Sequence, residues 1–165
     1  MDAKQQLQVC QTIPEHFELA KRLVAEYLGL DQAGLLLGLA ELGLYNKGFI
    51  GAYYQPDANV IIINQMALSR LKQQRKDLYN TYLFHIILHE YVHAVGVYDE
   101  AETRKIVLEL SQHYFGPAHD ATVMAKDMSH FLPYVVYPGK EYTPPENLHI
   151  DFVLGIDKSN TNYIN

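Results

Sequence analysis

The chain has 165 residues, 48% of them hydrophobic and 19% charged, with no low-complexity tract; a chain of this size and composition buries a core of its own, which excludes a disordered segment. Its formal charge of -6 and sequence pI near 5.7 leave no basic field to neutralise phosphates, so nucleic acid is not favoured as a partner. A single domain over residues 1–165 is expected.

Cys10 is the sole cysteine, so no intramolecular disulfide forms, which suits a reducing compartment. The opening residues carry no apolar run behind a basic one, and the most apolar stretches, 35–44 and 82–97, are too short and interrupted to span a bilayer. A soluble, cytoplasmic protein with no membrane partner is expected.

In chain order, residues 14–28 set Phe17, Leu19, Ala20, Leu23, Val24, Tyr27 and Leu28 largely on one side at helical spacing, with Pro14 suited to a first turn and Gly29 to an end. Asp31 can cap a second helix running through Leu35, Leu36, Leu39 and Leu42 to about Gly43, with Gly34 and Gly38 weighing against it. The run 48–54 and the β-branched run 60–63 flank Gln55-Pro56-Asp57-Ala58-Asn59, a turn signal that predicts a hairpin. Residues 66–74 predict a short amphipathic helix and 77–96 a long one. Arg70, Lys72, Arg75 and Lys76 cluster between them, but with Gln residues and Asp77 interspersed they read as a solvated face.

Asp99-Glu100-Ala101-Glu102 has the Asp-x-x-Glu form of a capping box and opens a helix carrying Ile106, Val107, Leu110, Tyr114 and Phe115, closed by Gly116-Pro117. From Pro133 onward, Pro138, Pro144, Pro145, several tyrosines and a polar end predict an extended segment, 132–165, laid over the domain with frayed final residues. The expected fold class is α+β, mostly helical, with a small hairpin or sheet ahead of helix 77–96.

Within that helix stands His89-Glu90-Tyr91-Val92-His93. Residues four apart share a helix face one turn apart, so the two imidazoles can point at one ion, and Glu90 is angled to reach a water at that ion as general base. The surrounding residues 82–96 are apolar nearly all round, so the helix is expected to be buried. Burying Glu90 unpaired would cost several kcal/mol, which a metal or hydrogen-bond partners would have to offset.

The five residues from His89 to His93 match HExxH and resemble the active-site helix of the zincin metallopeptidases; the hairpin ahead of them is similar to the sheet edge on which such enzymes hold an extended substrate. The resemblance spans roughly residues 49–115, with HExxH as its one strong motif. It implies Zn2+ as cofactor, a polypeptide substrate lying along residues 49–54 or 60–64, and hydrolysis of the peptide bond with Glu90 as general base.

A catalytic zinc takes three protein ligands plus water. The span from His89 through Gly96 to Asp99 fits HExxHxxGxxD, similar to the aspartate form of the metzincin pattern, which would make Asp99 the third ligand; Asp99 is equally explained as an N-cap. If helices 77–96 and 100–115 fold back about residues 97 and 98, Glu102 comes level with His93, an arrangement that resembles the gluzincin plan, although Glu102 also suits the capping box. His119, after Gly116-Pro117, is the third candidate, distant if the second helix returns for its full length. The order of preference is Glu102, Asp99, His119.

Other residues near the motif have two readings each. Glu100 is assigned to a dipole-stabilised first turn, and His85 to the core or the surroundings of the metal. Met124 and Met128 read as core filler or as a methionine turn under the metal; Tyr134, Tyr137 and Tyr142 read as packing or as the source of an oxyanion donor. The spacing His89-x3-His93-x2-Gly96-x2-Asp99 also resembles the metal motif of small ribosomal-RNA-processing metalloproteins, from which this chain departs by having Glu90 where Gly is typical and Glu100 where a third histidine is. A zincin scaffold that binds a partner without catalysis is the third class.

Overall fold

The computed structural model describes residues 1–45, 48–137 and 142–157. The chain builds an α+β fold from helices α1 (Ala3–Val9), α2 (Ile13–Leu28), α3 (Gln65–Gln74), α4 (Tyr79–Ala94), α5 (Glu100–Phe115) and α6 (Asp120–Lys126) and from strands β1 (Leu36–Ala40), β2 (Leu44–Tyr45), β3 (Gly48–Ile50), β4 (Ala52–Gln55), β5 (Val60–Asn64), β6 (Val135–Val136) and β7 (Asp151–Phe152). The larger sheet has the order β4-β5-β1-β7, with β1 and β5 parallel and both outer pairs antiparallel; the smaller joins β2, β3 and β6.

Helix α4 is the axis of the packing, as its apolar sequence requires. Tyr82, Phe84, Ile86, Ile87, Leu88, Tyr91 and Val92 are at most 1% exposed, and each large side chain so buried contributes about 1.5–3 kcal/mol. The helix packs against α2, α5, α6, β4 and β5. Helix α2 has the ends its sequence predicts, with the Thr12 hydroxyl accepting from the Glu15 N–H, Pro14 in the first turn and Gly29 at φ 68° past the end.

The hairpin forms between β4 and β5, and its turn closes with Asn59 at φ 51° donating its backbone N–H to the Pro56 carbonyl at 3.2 Å. Its first arm is shorter than expected, because Gly48–Ile50 pairs with β6 in the other sheet. The two strands part at Gly51, where a Cβ would sit 2.8 Å from Ile86 Cδ1. The backbone therefore crosses directly over α4, and β4 is left as an edge strand beside the helix.

The expected helix over residues 31–43 is corrected to strand β1. Glycines at 34 and 38 tax a helix by about 1 kcal/mol each, and the apolar run suits a strand buried on both faces. Leu35 and Leu37 belong to the core shared with the helices, while Ala40, Val60 and Ile62 belong to a second cluster covered by Leu148 and Ile150 of the C-terminal segment. Gly38 lies under that segment: a Cβ there would collide with the Ile150 side chain and approach Ile62 at 3.4 Å. As expected, residues 142–157 lie over the sheet, with β7 pairing with β1; Pro138 and the final residues of that expectation fall outside the described residues. No described helix is long and apolar enough to cross a membrane.

Gly38→Ala should thus lower stability by about 1–3 kcal/mol, the usual cost of overpacking, in denaturant unfolding of the full chain. An unchanged midpoint would show that the segment over the sheet yields freely at Ile150.

Candidate metal centre

The last two turns of α4 carry His89, Glu90 and His93, and the way the helix ends decides what meets them. Gly96 adopts φ 116°, a conformation open to glycine and strained for other residues, and its N–H donates to the His93 carbonyl at 3.0 Å. The chain reverses over residues 95–99. Asp99 then caps α5 by accepting the Glu102 N–H at 2.9 Å, which makes Glu100 the first residue of α5 and sets it against the end of α4.

The ligand atoms of His89, Glu90 and His93 lie within 4.8 Å of one another. Glu100 faces both rings, with Oε1 2.7 Å from His89 Nε2 and Oε2 3.1 Å from His93 Nε2. His93 Nδ1 donates to the Val97 carbonyl at 2.7 Å, which fixes the ring with Nε2 pointing at Glu100. Buried Thr103 holds the same turn, its hydroxyl 3.0 Å from the Val97 carbonyl and 2.9 Å from that of Asp99.

The His89 contact has a different character. Its Nε2 and Glu100 Oε1 are buried and close, yet neither has an aligned hydrogen-bond partner among the described residues. A donor and an acceptor this near would align if the hydrogen bond were the purpose of the contact, because unpaired buried polar atoms cost about 1–3 kcal/mol each. Two imidazole nitrogens and a carboxylate converge on one point, with a pair of orphaned atoms among them, and such a donor set could hold a metal ion.

Electrostatics follow the same geometry. Burial pushes the Glu90 carboxyl above its ordinary range, against the pull of His89 and His93. Burial alone would also raise Glu100, but the contacts from His89 and His93 outweigh it and hold that carboxyl well below the usual range. For His93 burial alone would lower the pKa, and the Glu100 contact, Glu90 and the Val97 carbonyl outweigh it and raise it. His85, one turn before His89, is pushed down to about 3 by burial and by His89 beside it, and stays neutral.

Glu90 and His93 open into a cleft of about 430 Å³ bounded by Tyr53, Tyr54 and Gln55 of β4, by Tyr98 from the turn between α4 and α5, and by Tyr142 and Pro144 from the C-terminal segment. Strand β5 has β4 and β1 on its two sides; of the two strands expected to receive a substrate, β4 is the one with a free edge among the described residues. No protein-family model, curated protein or solved structure matches the chain.

The structure brings His89, Glu90 and His93 together, and the acidic side chain it sets against the two rings is Glu100 and not Glu102, Asp99 or His119. Glu102 is exposed: two residues on along α5 it is rotated about 200° from Glu100, at 100° per residue, and so faces solvent. Asp99 is spent on the cap, and His119 caps α6 by accepting the Ala121 N–H at 3.0 Å. The Asp99 cap makes Glu100 the first residue of α5, and the reversal is not symmetric about residues 97 and 98, so Glu100 rather than Glu102 comes level with His93. Met124 and Met128 are buried core residues. Tyr134 packs edge-on against Phe49, whereas Tyr137 stacks on His89.

Zinc affinity, measured by chelator competition, should accordingly fall at least about tenfold in Glu100→Ala, as for a lost ligand, and stay within about twofold in Glu102→Ala. Equal losses in the two variants would return the third position to open competition.

Proposed function

We propose that the chain is a zinc-dependent peptidase that cleaves polypeptides bound in extended form along β4. The observation that carries this reading is the convergence of His89 Nε2 and His93 Nε2 on Glu100, with Glu90, His93 and Glu100 lining a cleft beside β4, an edge strand among the described residues. A zinc ion held by His89, His93 and Glu100 would supply a Lewis acid that acidifies water and polarises a carbonyl.

The residues of the chain account for the remainder of the reaction. The unpaired backbone groups of β4 can receive a substrate backbone as an added strand, and this fixes its direction past the ligands. Glu90 takes the proton of the attacking water and delivers it to the amine nitrogen that leaves. Its burial favours proton uptake, so a carboxyl raised above its ordinary range suits the task. Tyr98, 60% exposed, lines the cleft with Tyr54, and these rings with Tyr53 and Tyr142 give an extended peptide apolar walls.

The ribonuclease reading gains no support here, because the cleft's described lining carries no Lys or Arg to meet a phosphate. The deciding variant is Glu90→Gln in the zinc-loaded protein, assayed on unfolded polypeptide with a chelator control. Turnover should drop by about 10² to 10⁴, the range for a general base, with stoichiometric zinc retained. Undiminished cleavage in that variant would reject Glu90 as the base; RNA cleavage without peptide cleavage by the wild type would reject the substrate class.

A further inference from the structure

Tyr137 comes from the C-terminal part of the chain, far in sequence from α4, yet its ring lies on the His89 imidazole with centroids 4.5 Å apart and planes 19° from parallel. Its hydroxyl is 2.5 Å from His85 Nε2, and the Arg104 guanidinium stands 4.8 Å from its ring centroid. Arg104 Nε is in turn 3.7 Å from Glu100 Oε1. A closed circuit results, in which His89 on α4 and Glu100 on α5 meet directly on one side and are joined through Tyr137 and Arg104 on the other. Strand β6 delivers the tyrosine, since the pairing of Val135 with Phe49 and of Val136 with Ile50 fixes the chain just before it.

We infer that Tyr137 is a positioning residue for His89, and that docking of the chain around β6 sets the affinity of the metal centre. This rests on the metal centre proposed above. An imidazole is free to rotate about its bond to Cβ unless something holds it, and a ligand ring must present Nε2 within a narrow range of directions. The other ligands have their own restraints, His93 through the Val97 carbonyl and Glu100 through the Asp99 cap that starts its helix. For His89 the flat face of Tyr137 does this, and the hydroxyl bond to His85 keeps the tyrosine in place from the same helix.

The test is Zn2+ affinity of the full chain, by competition with a chromophoric chelator at fixed pH, for the wild type, Tyr137→Phe, Tyr137→Leu and Arg104→Gln. Tyr137→Leu, which keeps apolar bulk but loses the flat face, should weaken zinc binding at least about tenfold, while Tyr137→Phe stays within about threefold. Thermal unfolding of the metal-free proteins separates this from packing: a purely structural tyrosine would lower the unfolding temperature of Tyr137→Leu and leave the zinc affinity of its folded form unchanged, which would overturn the inference. If Tyr137→Leu does not fold, Arg104→Gln decides, since its side chain is 53% exposed. Removing a cation beside the site favours Zn2+ by charge alone, so weaker binding in Arg104→Gln supports positioning, and equal or tighter binding refutes it. A wild type that binds no zinc would remove the metal centre itself and this inference with it; a wild type that binds, with Tyr137→Leu unchanged, would remove only the inference.

Discussion

The structure depends on the placement of polar, ionisable side chains on a helix that is otherwise core. His89 and Glu90 are 1% and 2% exposed, among neighbours whose burial supplies much of the apolar packing energy of the fold. Such groups are tolerated in a core only when something satisfies them. Glu100, brought from the next helix by a reversal that needs a glycine at 96, an aspartate cap at 99 and a buried threonine at 103, hydrogen-bonds His93 but leaves His89 Nε2 and its own Oε1 without an aligned partner among the described residues. Each of those three residues has a local physical reason, and together they put one carboxylate against two imidazoles.

The same helix positions the cleft. Because Gly51 lets the backbone cross α4 closely, β4 lies beside α4 with its outer edge unpaired among the described residues, and Glu90 lines the cleft between them. The C-terminal segment contributes at two points: Tyr142 and Pro144 bound the cleft, and Tyr137 lies on the other side of His89. A segment that also covers the outer face of the sheet thus joins the apolar core to the His89 ring.

Much of this was legible in the sequence. The buried helix, the HExxH spacing, the hairpin, the Asp99 cap and the closing Gly116 all follow from local rules, and the structure has them. Three features were not legible for definable reasons. Residues 31–43 carry leucines at spacings that satisfy a helix, and only the covering of both sheet faces by distant segments turns that run into β1. Glu100 and Glu102 differ by two positions on one helix, and choosing between them needs the exact course of the five-residue reversal, which no periodicity encodes. Tyr137 is a contact between residues 48 positions apart, and nothing local singles it out from the tyrosines at 134 and 142.

The most direct measurement of the central claim is X-ray absorption spectroscopy of the full chain loaded with one equivalent of zinc. The account predicts a four-coordinate ion with two imidazole nitrogens and oxygen donors, all at about 2.0–2.2 Å. A shell containing sulfur at about 2.3 Å, which would draw in Cys10, or a shell lacking imidazole, would contradict it.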